Sequence, residues 1–250
     1  MEKYVICIKK RKREEKDDKE KAIDDVVKPS PLPPPSAFLD ITVREIRFKS
    51  NKTNGYAFLS NFWPFVDDAA YTACSGDLRE ICGRGHFQLK ILEREYQSVE
   101  KFYQVCKFLA IDSYYASQTL VHLTDAREIK QKTSQKHWLQ ERGRFRSPSM
   151  NAAKVQYQIA LHRFQLYSNQ VMLLALYEKF LQNPSCGQAL VKTDNAKLSE
   201  QGRFKKDYWC HTGQDRLGQL IMQVRASLVS GSAKDNLANL YTSLGDRIRL

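Results

Sequence analysis

The sequence contains no apolar run approaching the roughly 20 residues of a membrane-spanning helix. Its first residues combine a short apolar run with dense charge, which is not the pattern of a secretory signal. It also lacks an internal repeat. These absences argue against membrane, secreted and repeat proteins. We expect an intracellular protein, nuclear or cytoplasmic, that has no membrane partner.

Cysteine is sparse and unpaired in the sequence. The six cysteines are scattered and form no CxxC pair, which favours free thiols in a reducing compartment. Cys74, Cys82 and His86 lie near one another, but their spacing matches no common zinc pattern. A loop with reduced thiols is the favoured interpretation.

Acidic residues are too few to balance the basic ones. Against 28 acidic residues stand 40 lysines and arginines, giving a formal charge of +12. This charge favours an anionic partner, such as nucleic acid, a phosphorylated metabolite or an acidic protein. The 250 residues include 12 Tyr, 12 Phe and 3 Trp, enough for one sizeable core.

Residues 1–37 have the composition of a disordered tail. They contain the basic run KKRKR at 9–13 and the proline-rich run PSPLPPPS at 29–36. The first is too polar to bury and the second favours an extended spacer. KKRKR fits a nuclear import signal or a nucleic-acid contact. A solvated basic run with no targeting role is an equally good interpretation.

Periodicity predicts a mainly helical α+β domain over residues 38–229. We expect strands within 41–48, 86–95 and 190–202, and helices at 113–120, 124–133, 151–167 and 171–181, the last ending near Pro184. Asp215 is expected to cap a last amphipathic helix. Residues 230–250 are predicted to form a polar, loosely attached extension.

The most informative stretch is residues 96–109, YQSVEKFYQVCKFL. Its apolar residues recur at helical spacing, and Ser98 can cap the helix start. Glu100 falls in the first turn, where the helix dipole favours an anion, and aromatic residues surround it. Glu100 therefore either faces a small-molecule pocket or is a solvated first-turn residue.

A second informative stretch is residues 56–65, YAFLSNFWPF. Four aromatic residues and a proline surround Ser60 and Asn61, and a buried asparagine must have its amide groups paired. Asn61 therefore either braces a loop or binds a ligand.

Basic residues also predominate between 127 and 163, interleaved with Trp138 and Phe145. The combination resembles a nucleic-acid surface. A solvated helical face is the alternative, because the sequence carries no helix-turn-helix, zinc-finger or RNP signature.

Three stretches together resemble the NADAR superfamily, the YbiA-like N-glycosidases. They are FLSNFWPF (58–65), YQSVEKFYQVCKF (96–108) and DYWCHTGQDRLGQLIMQVR (207–225), and VMLLALYEKFLQNP (171–184) matches a further helix of the family. The resemblance covers nearly all of the predicted domain. It implies a single compact α+β domain, mainly helical with a few short strands, that cleaves a ribosyl N-glycosidic bond. The implied substrates are phosphorylated riboflavin-pathway intermediates or ADP-ribose on guanine bases.

The resemblance also implies site residues. Glu100 matches the catalytic carboxylate, which suits a reaction that develops positive charge on the ribose, and Asp207 is the implied second acid. The residues implied to bind substrate are Ser60, Asn61, Phe62, Tyr103, Lys107, Lys130, Phe164, Trp209 and Gly218.

Several of the implied substrate contacts have a structural alternative. Lys107 is either a phosphate ligand or a structural lysine, and Trp209 either stacks on a base or is simply buried. Phe62 is either a ligand contact or core. Gly218 either allows a close backbone approach in the pocket or packs a helix.

The sequence departs from the family pattern at the second acid. The family has Asp three residues before the tryptophan, where this chain has Lys206, and Asp207 follows one residue late. The other departures are Tyr96 and Gln97 for Trp-Pro, Lys130 for arginine, Phe164 for tryptophan and Cys210 for glycine. They leave the helix of Glu100 intact and displace the second acid by one residue.

We therefore expect an N-glycosidase acting on an ADP-ribose-type conjugate, with nucleic acid as a candidate carrier. Two alternatives remain: a non-catalytic ADP-ribose or nucleotide reader, and a nucleic-acid-binding protein that uses the domain as a scaffold. Carboxylate chemistry is sufficient for the reaction, so we expect no metal and no cofactor; loss of activity in EDTA, restored by a divalent ion, would contradict this.

Overall fold

A computed structural model of the protein describes residues 44–48, 56–61, 87–144, 146–202 and 207–250. The described residues are mainly helical, with four short strands and nine α-helices among them, which confirms the predicted fold class. The basic and proline-rich tail, the Cys74–Cys82–His86 group, Phe62 and Lys206 lie outside the described residues. The predictions that concern them stay predictions.

The helix predicted around Glu100 is helix α1, Val99–Ile111. Ser98 caps it, because its hydroxyl accepts a hydrogen bond of 3.1 Å from the backbone nitrogen of Lys101. Val99, Phe102 and Cys106 are fully buried along the predicted apolar face. Polar residues on the other face of α1 are buried as well, so the helix runs through the interior.

Two pairs of short strands accompany the helices. Strand β1, Glu45–Phe48, pairs in parallel with β4, Lys197–Glu200, and this register places Phe48 opposite Glu200. Strands β2, Lys90–Ile91, and β3, Arg94–Glu95, form a hairpin. The prediction of one strand over 86–95 is wrong, because Leu92 and Glu93 both have positive φ and turn the chain back.

The remaining helices follow α1 in sequence. They are α2 (Ser113–Gln118), α3 (Ala126–Lys132), α4 (Gln135–Glu141), α5 (Met150–Gln165), α6 (Ser168–Gln182), α7 (Pro184–Val191), α8 (Arg216–Ser230) and α9 (Ala233–Leu244), with 3₁₀ helices at Ala57–Leu59, Leu120–His122 and Gly245–Ile248. Pro184 ends α6 as predicted, but it also begins α7 at a position where its missing N–H is not needed.

Helix α6 is the centre of the core. Val171, Leu174, Tyr177 and Phe180 are almost completely buried along it, and α6 packs against α1, α8 and α9. Tyr177 is satisfied in the interior by a hydrogen bond of 2.7 Å between its hydroxyl and that of Ser227. Helix α6 therefore lies in the interior, and it also carries Lys179 as a fully buried residue.

The C-terminal residues contradict the prediction of a loosely attached extension. They form helix α9, whose Ala233 and Leu244 are buried against the core together with Ile248 beyond it. Helix α8 is therefore not the last helix. Asp215 does stand at the start of α8, but its side chain makes no capping hydrogen bond and instead accepts one of 2.7 Å from Ser199. Across the described part of the chain, no helix is both long and apolar enough to cross a membrane.

Candidate active site

Glu100 is buried at the start of α1 and is held on both carboxylate oxygens. Its side chain is 3% exposed, which excludes the solvated first-turn alternative. The amide of Asn61 donates to Oε2 over 2.6 Å, and that of Gln104 donates to Oε1 over 2.8 Å. Both oxygens thus face donors, which is the hydrogen-bonding pattern of a carboxylate.

The carbonyl oxygens of the two side-chain amides that hold Glu100 are not themselves hydrogen-bonded within the described part of the chain. Asn61 Oδ1 and Gln104 Oε1 are buried, and neither has a hydrogen-bond partner within the described ranges. Buried acceptors without partners are rare in native structures and mark positions for water or ligand. The site therefore offers two acceptors beside one carboxylate, which suits the hydroxyl groups of a sugar.

The 60–61 loop is docked onto the helix that carries Glu100. The backbone nitrogen of Glu100 donates to the carbonyl oxygen of Asn61 over 2.9 Å, which occupies one of the free N–H groups of the first turn. Lys179 of α6 is fully buried and donates to the carbonyl oxygen of Ser60 over 2.8 Å. Asn61 therefore braces a loop through its backbone while its side chain contacts Glu100.

Glu200, at the end of β4, is a second buried carboxyl group that sequence reasoning missed. It is 7% exposed, and the hydroxyl of Ser60 donates to its Oε1 over 3.2 Å. Burial raises the pKa of Glu200 to about 7; a hydrogen bond from Cys210 lowers the pKa, and the charge of Glu100 raises it. The available signal was an acidic residue ending a short strand just before the 207–225 motif.

Asp207 lies beside Glu200 without occupying the same position. Its Oδ1 accepts a hydrogen bond of 3.1 Å from the backbone nitrogen of Trp209. Its Oδ2 is 3.4 Å from Cys210 Sγ, and the same sulfur is 3.5 Å from Glu200 Oε2. Both oxygens of Asp207 are therefore engaged within its own loop.

Three rings predicted to bind substrate meet next to Glu100. Tyr103 lies one turn of α1 from Glu100, and its ring makes edge-to-face contacts with Phe164 at 5.3 Å and Trp209 at 5.4 Å between centroids. Phe164 is fully buried and packs against the Tyr103 ring. Trp209 is only partly buried, which leaves part of its indole for a flat ligand.

Lys107 lies two turns along α1 from Glu100 and is partly buried. Its amino group donates to the carbonyl oxygen of Thr133 over 3.3 Å. Burial lowers the pKa of Lys107 to about 8; the charge of Glu100 raises it and that of Lys130 lowers it. Lys130 is exposed, and its charge lowers the pKa of both Lys107 and Glu200, so Lys130 lies near both groups.

Gly218 has a packing role in the structure. A Cβ atom at this position would lie 2.0 Å from the backbone oxygen of Leu198, so the glycine allows α8 to pack directly on β4. The prediction that Gly218 also contacts substrate is not tested by this geometry. Among the described residues, no group of three or more histidine, cysteine or acidic side chains is arranged to hold a metal ion.

Comparison with known families agrees with this arrangement. The family model of the NADAR domain matches residues 47–229, so the chain belongs to the NADAR family, whose activity is in general of the N-glycosidase type. Comparisons with curated proteins and with solved structures found no match for this chain.

Proposed function

We propose that the protein hydrolyses the ribosyl N-glycosidic bond of an ADP-ribose-type conjugate, with Glu100 as the catalytic carboxylate. One observation carries the proposal. The buried Glu100 side chain is held by the amides of Asn61 and Gln104, and the carbonyl oxygens of those amides have no partner within the described ranges. A ribose offers the hydroxyl donors that these two acceptors lack, next to the carboxylate that its reaction requires.

The chemistry follows from the charge that develops on the sugar. Cleavage of an N-glycosidic bond makes the ribose ring oxocarbenium-like, so a fixed carboxylate nearby stabilises the transition state more than the ground state. The same carboxylate can accept a proton from the attacking water. The two amide hydrogen bonds hold Glu100 in one orientation, which avoids reorganisation during the reaction.

The surrounding groups favour a nucleotide-like substrate. Trp209 and Tyr103 offer aromatic surface for a base, and Lys107 and Lys130 offer positive charge for phosphates. The net charge of +12 favours a macromolecular anion over a free metabolite. Guanine in nucleic acid is therefore our preferred carrier of the ADP-ribose group, and phosphorylated riboflavin-pathway intermediates are the comparison substrates.

A non-catalytic reader of ADP-ribose is the second candidate. It is favoured by the sequence position of Asp207, which follows one residue later than the second acid of the family pattern, where this chain has Lys206. In the structure both carboxylate oxygens of Asp207 accept hydrogen bonds from its own loop. A reader would keep the sugar and phosphate contacts while releasing no product.

The deciding experiment uses an oligonucleotide carrying ADP-ribosylated guanine. Wild type is expected to release ADP-ribose, and Glu100→Gln to lose at least 100-fold in rate while still binding ADP-ribose in calorimetry. Glu128→Gln, the same change at an exposed residue, is the matched control and should behave as wild type. Binding without release from any of the substrates by wild type would support the reader. Oligonucleotide binding with a steep salt dependence and no response to Glu100→Gln would support the nucleic-acid scaffold instead.

A further inference from the structure

The residue pair Ser60–Asn61 connects two buried carboxyl groups from distant parts of the chain. Asn61 donates to Glu100 at the start of α1, and Ser60 donates to Glu200 at the end of β4. Two acidic side chains on one short loop, each almost completely buried, form the arrangement in which different environments can separate an acid from a base.

We propose that Glu200 carries a proton in the resting protein and donates it to the departing base, while Glu100 acts on the sugar and the attacking water. This inference rests on the proposed function. It assigns to Glu200 the role of second acid that the sequence predicted for Asp207.

The hydrogen count around Cys210 is the first support. Cys210 Sγ is 3.4 Å from Asp207 Oδ2 and 3.5 Å from Glu200 Oε2. Burial raises the pKa of the Cys210 thiol, so the sulfur carries one hydrogen and can donate to one of the two oxygens. The thiol is the donor in both contacts, so the oxygens of Glu200 and Asp207 compete for its one hydrogen. A proton on Glu200 would remove this competition, because the thiol could then donate to Asp207 alone.

The asymmetry between the two glutamates is the second support. Both oxygens of Glu100 accept hydrogen bonds from amide NH2 groups, which can only donate. The oxygens of Glu200 accept from a hydroxyl and a thiol, and each of these groups can also accept a hydrogen bond from a protonated carboxyl. Burial raises the pKa of Glu200 to about 7, near the pH at which a general acid is most effective.

The charged and titratable groups around Glu200 come from several elements. Its backbone oxygen also lies 3.0 Å from Nδ1 of His211. The groups that face it are Glu100 on α1, Lys130 on α3, and Asp207, Cys210 and His211 in the loop before α8, with Lys179 of α6 one hydrogen bond away through Ser60.

The proposed step balances without a further reactant. The bond between the anomeric carbon and the base nitrogen breaks, its electron pair goes to that nitrogen, and the proton of Glu200 neutralises the nitrogen. Water forms the new bond to the anomeric carbon and gives its proton to Glu100. The resting state returns when the proton on Glu100 exchanges through solvent and Glu200 is protonated again.

The test compares wild type, Glu200→Gln and the exposed control Glu128→Gln on two substrates. In the first, ADP-ribose is attached to guanine, whose nitrogen needs a proton to leave. In the second, ADP-ribose is attached to a pyridinium, which leaves as a neutral base without one. We expect Glu200→Gln to lose at least 100-fold in kcat/KM on the guanine conjugate and less than 10-fold on the pyridinium conjugate. Because the pKa of Glu200 is about 7, we expect the kcat/KM of wild type to fall above about pH 7. This fall should be absent from Glu200→Gln.

The outcomes separate this inference from the proposed function. Equal losses on both substrates, or a variant that keeps the fall in rate above pH 7, would show that Glu200 is not the proton donor even though the enzyme is active. If wild type does not accept the pyridinium conjugate, the pH profile on guanine decides alone. No turnover of either substrate by wild type would overturn the proposed function itself, and this inference with it.

Discussion

The buried amino group of Lys179 supports the backbone of Ser60 through a hydrogen bond of 2.8 Å. This contact joins the central helix α6 to the loop whose two side chains reach Glu100 and Glu200. Lys179 thus acts on the site indirectly, by fixing the position of the loop.

Lys179→Met should therefore impair activity more than stability. Loss of the donor leaves a buried carbonyl oxygen unpaired, which costs about 1–3 kcal/mol, but methionine removes the cost of burying an amino group and offsets part of this. We expect about 1 kcal/mol of destabilisation and at least a 10-fold loss of kcat/KM. Urea unfolding and kinetics would measure both, with the exposed Lys192→Met as control. A fully active Lys179→Met would contradict the bracing role.

The lowered pKa of Lys107 predicts that phosphate binding depends on pH. A lysine is charged below its pKa and neutral above it, and burial lowers the pKa of Lys107 to about 8. The affinity for free ADP-ribose should therefore fall about tenfold between pH 7 and pH 9 if the charged amino group holds a phosphate. Calorimetry at the two pH values measures this directly, without the complication of pH effects on turnover.

Lys107→Arg is the matched variant for this measurement, because a guanidinium remains charged at pH 9. Its affinity for ADP-ribose should change little between the two pH values, whatever its absolute level. Parallel pH dependences of wild type and Lys107→Arg would leave Lys107 as a structural lysine that contacts Thr133.

Local sequence signals predicted helix α1 and its cap correctly, whereas the contacts between distant parts of the chain had no local signal. Ser98 and the apolar spacing that follows it determine α1 within a few turns, so the place of Glu100 in the first turn could be predicted from the sequence. Glu200 is buried because β4 pairs with β1, about 150 residues earlier in the chain, and no local pattern encodes that pairing. Helix α9 was missed for a related reason: its polar composition hid the few residues, such as Leu244, that dock on the core.

The raised pKa of Glu200 also predicts how the free energy of unfolding varies with pH. The pKa of its carboxyl rises from an ordinary value of 4.5 to about 7 in the folded protein, so the folded state binds the proton more tightly than the unfolded chain. Its contribution is complete below about pH 4.5 and is lost as the pH rises through 7, and it amounts to roughly 3 kcal/mol. The free energy of unfolding of wild type, relative to Glu200→Gln, should therefore decrease between pH 5 and pH 8. Parallel curves for the two proteins would mean that Glu200 ionises normally.

The substitution Gly218→Ala tests whether Gly218 packs α8 against β4 or contacts the substrate. In Gly218→Ala the new Cβ would lie 2.0 Å from the carbonyl oxygen of Leu198, and since backbone cannot rotate away as a side chain can, α8 must move off β4. We expect destabilisation of about 3 kcal/mol, measured by urea unfolding. The exposed Gln223→Ala on the same helix should change stability by less than about 0.5 kcal/mol.

The same variant links packing to the site, because β4 ends at Glu200. Displacement of β4 should move Glu200 relative to Ser60, whose hydroxyl lies 3.2 Å from its carboxylate. Gly218→Ala should therefore also lose activity under conditions where it is still fully folded, and the residual activity should no longer fall near pH 7. If the variant instead keeps wild-type stability and weakens only ADP-ribose binding, Gly218 is a pocket residue, and α8 and β4 can separate without strain.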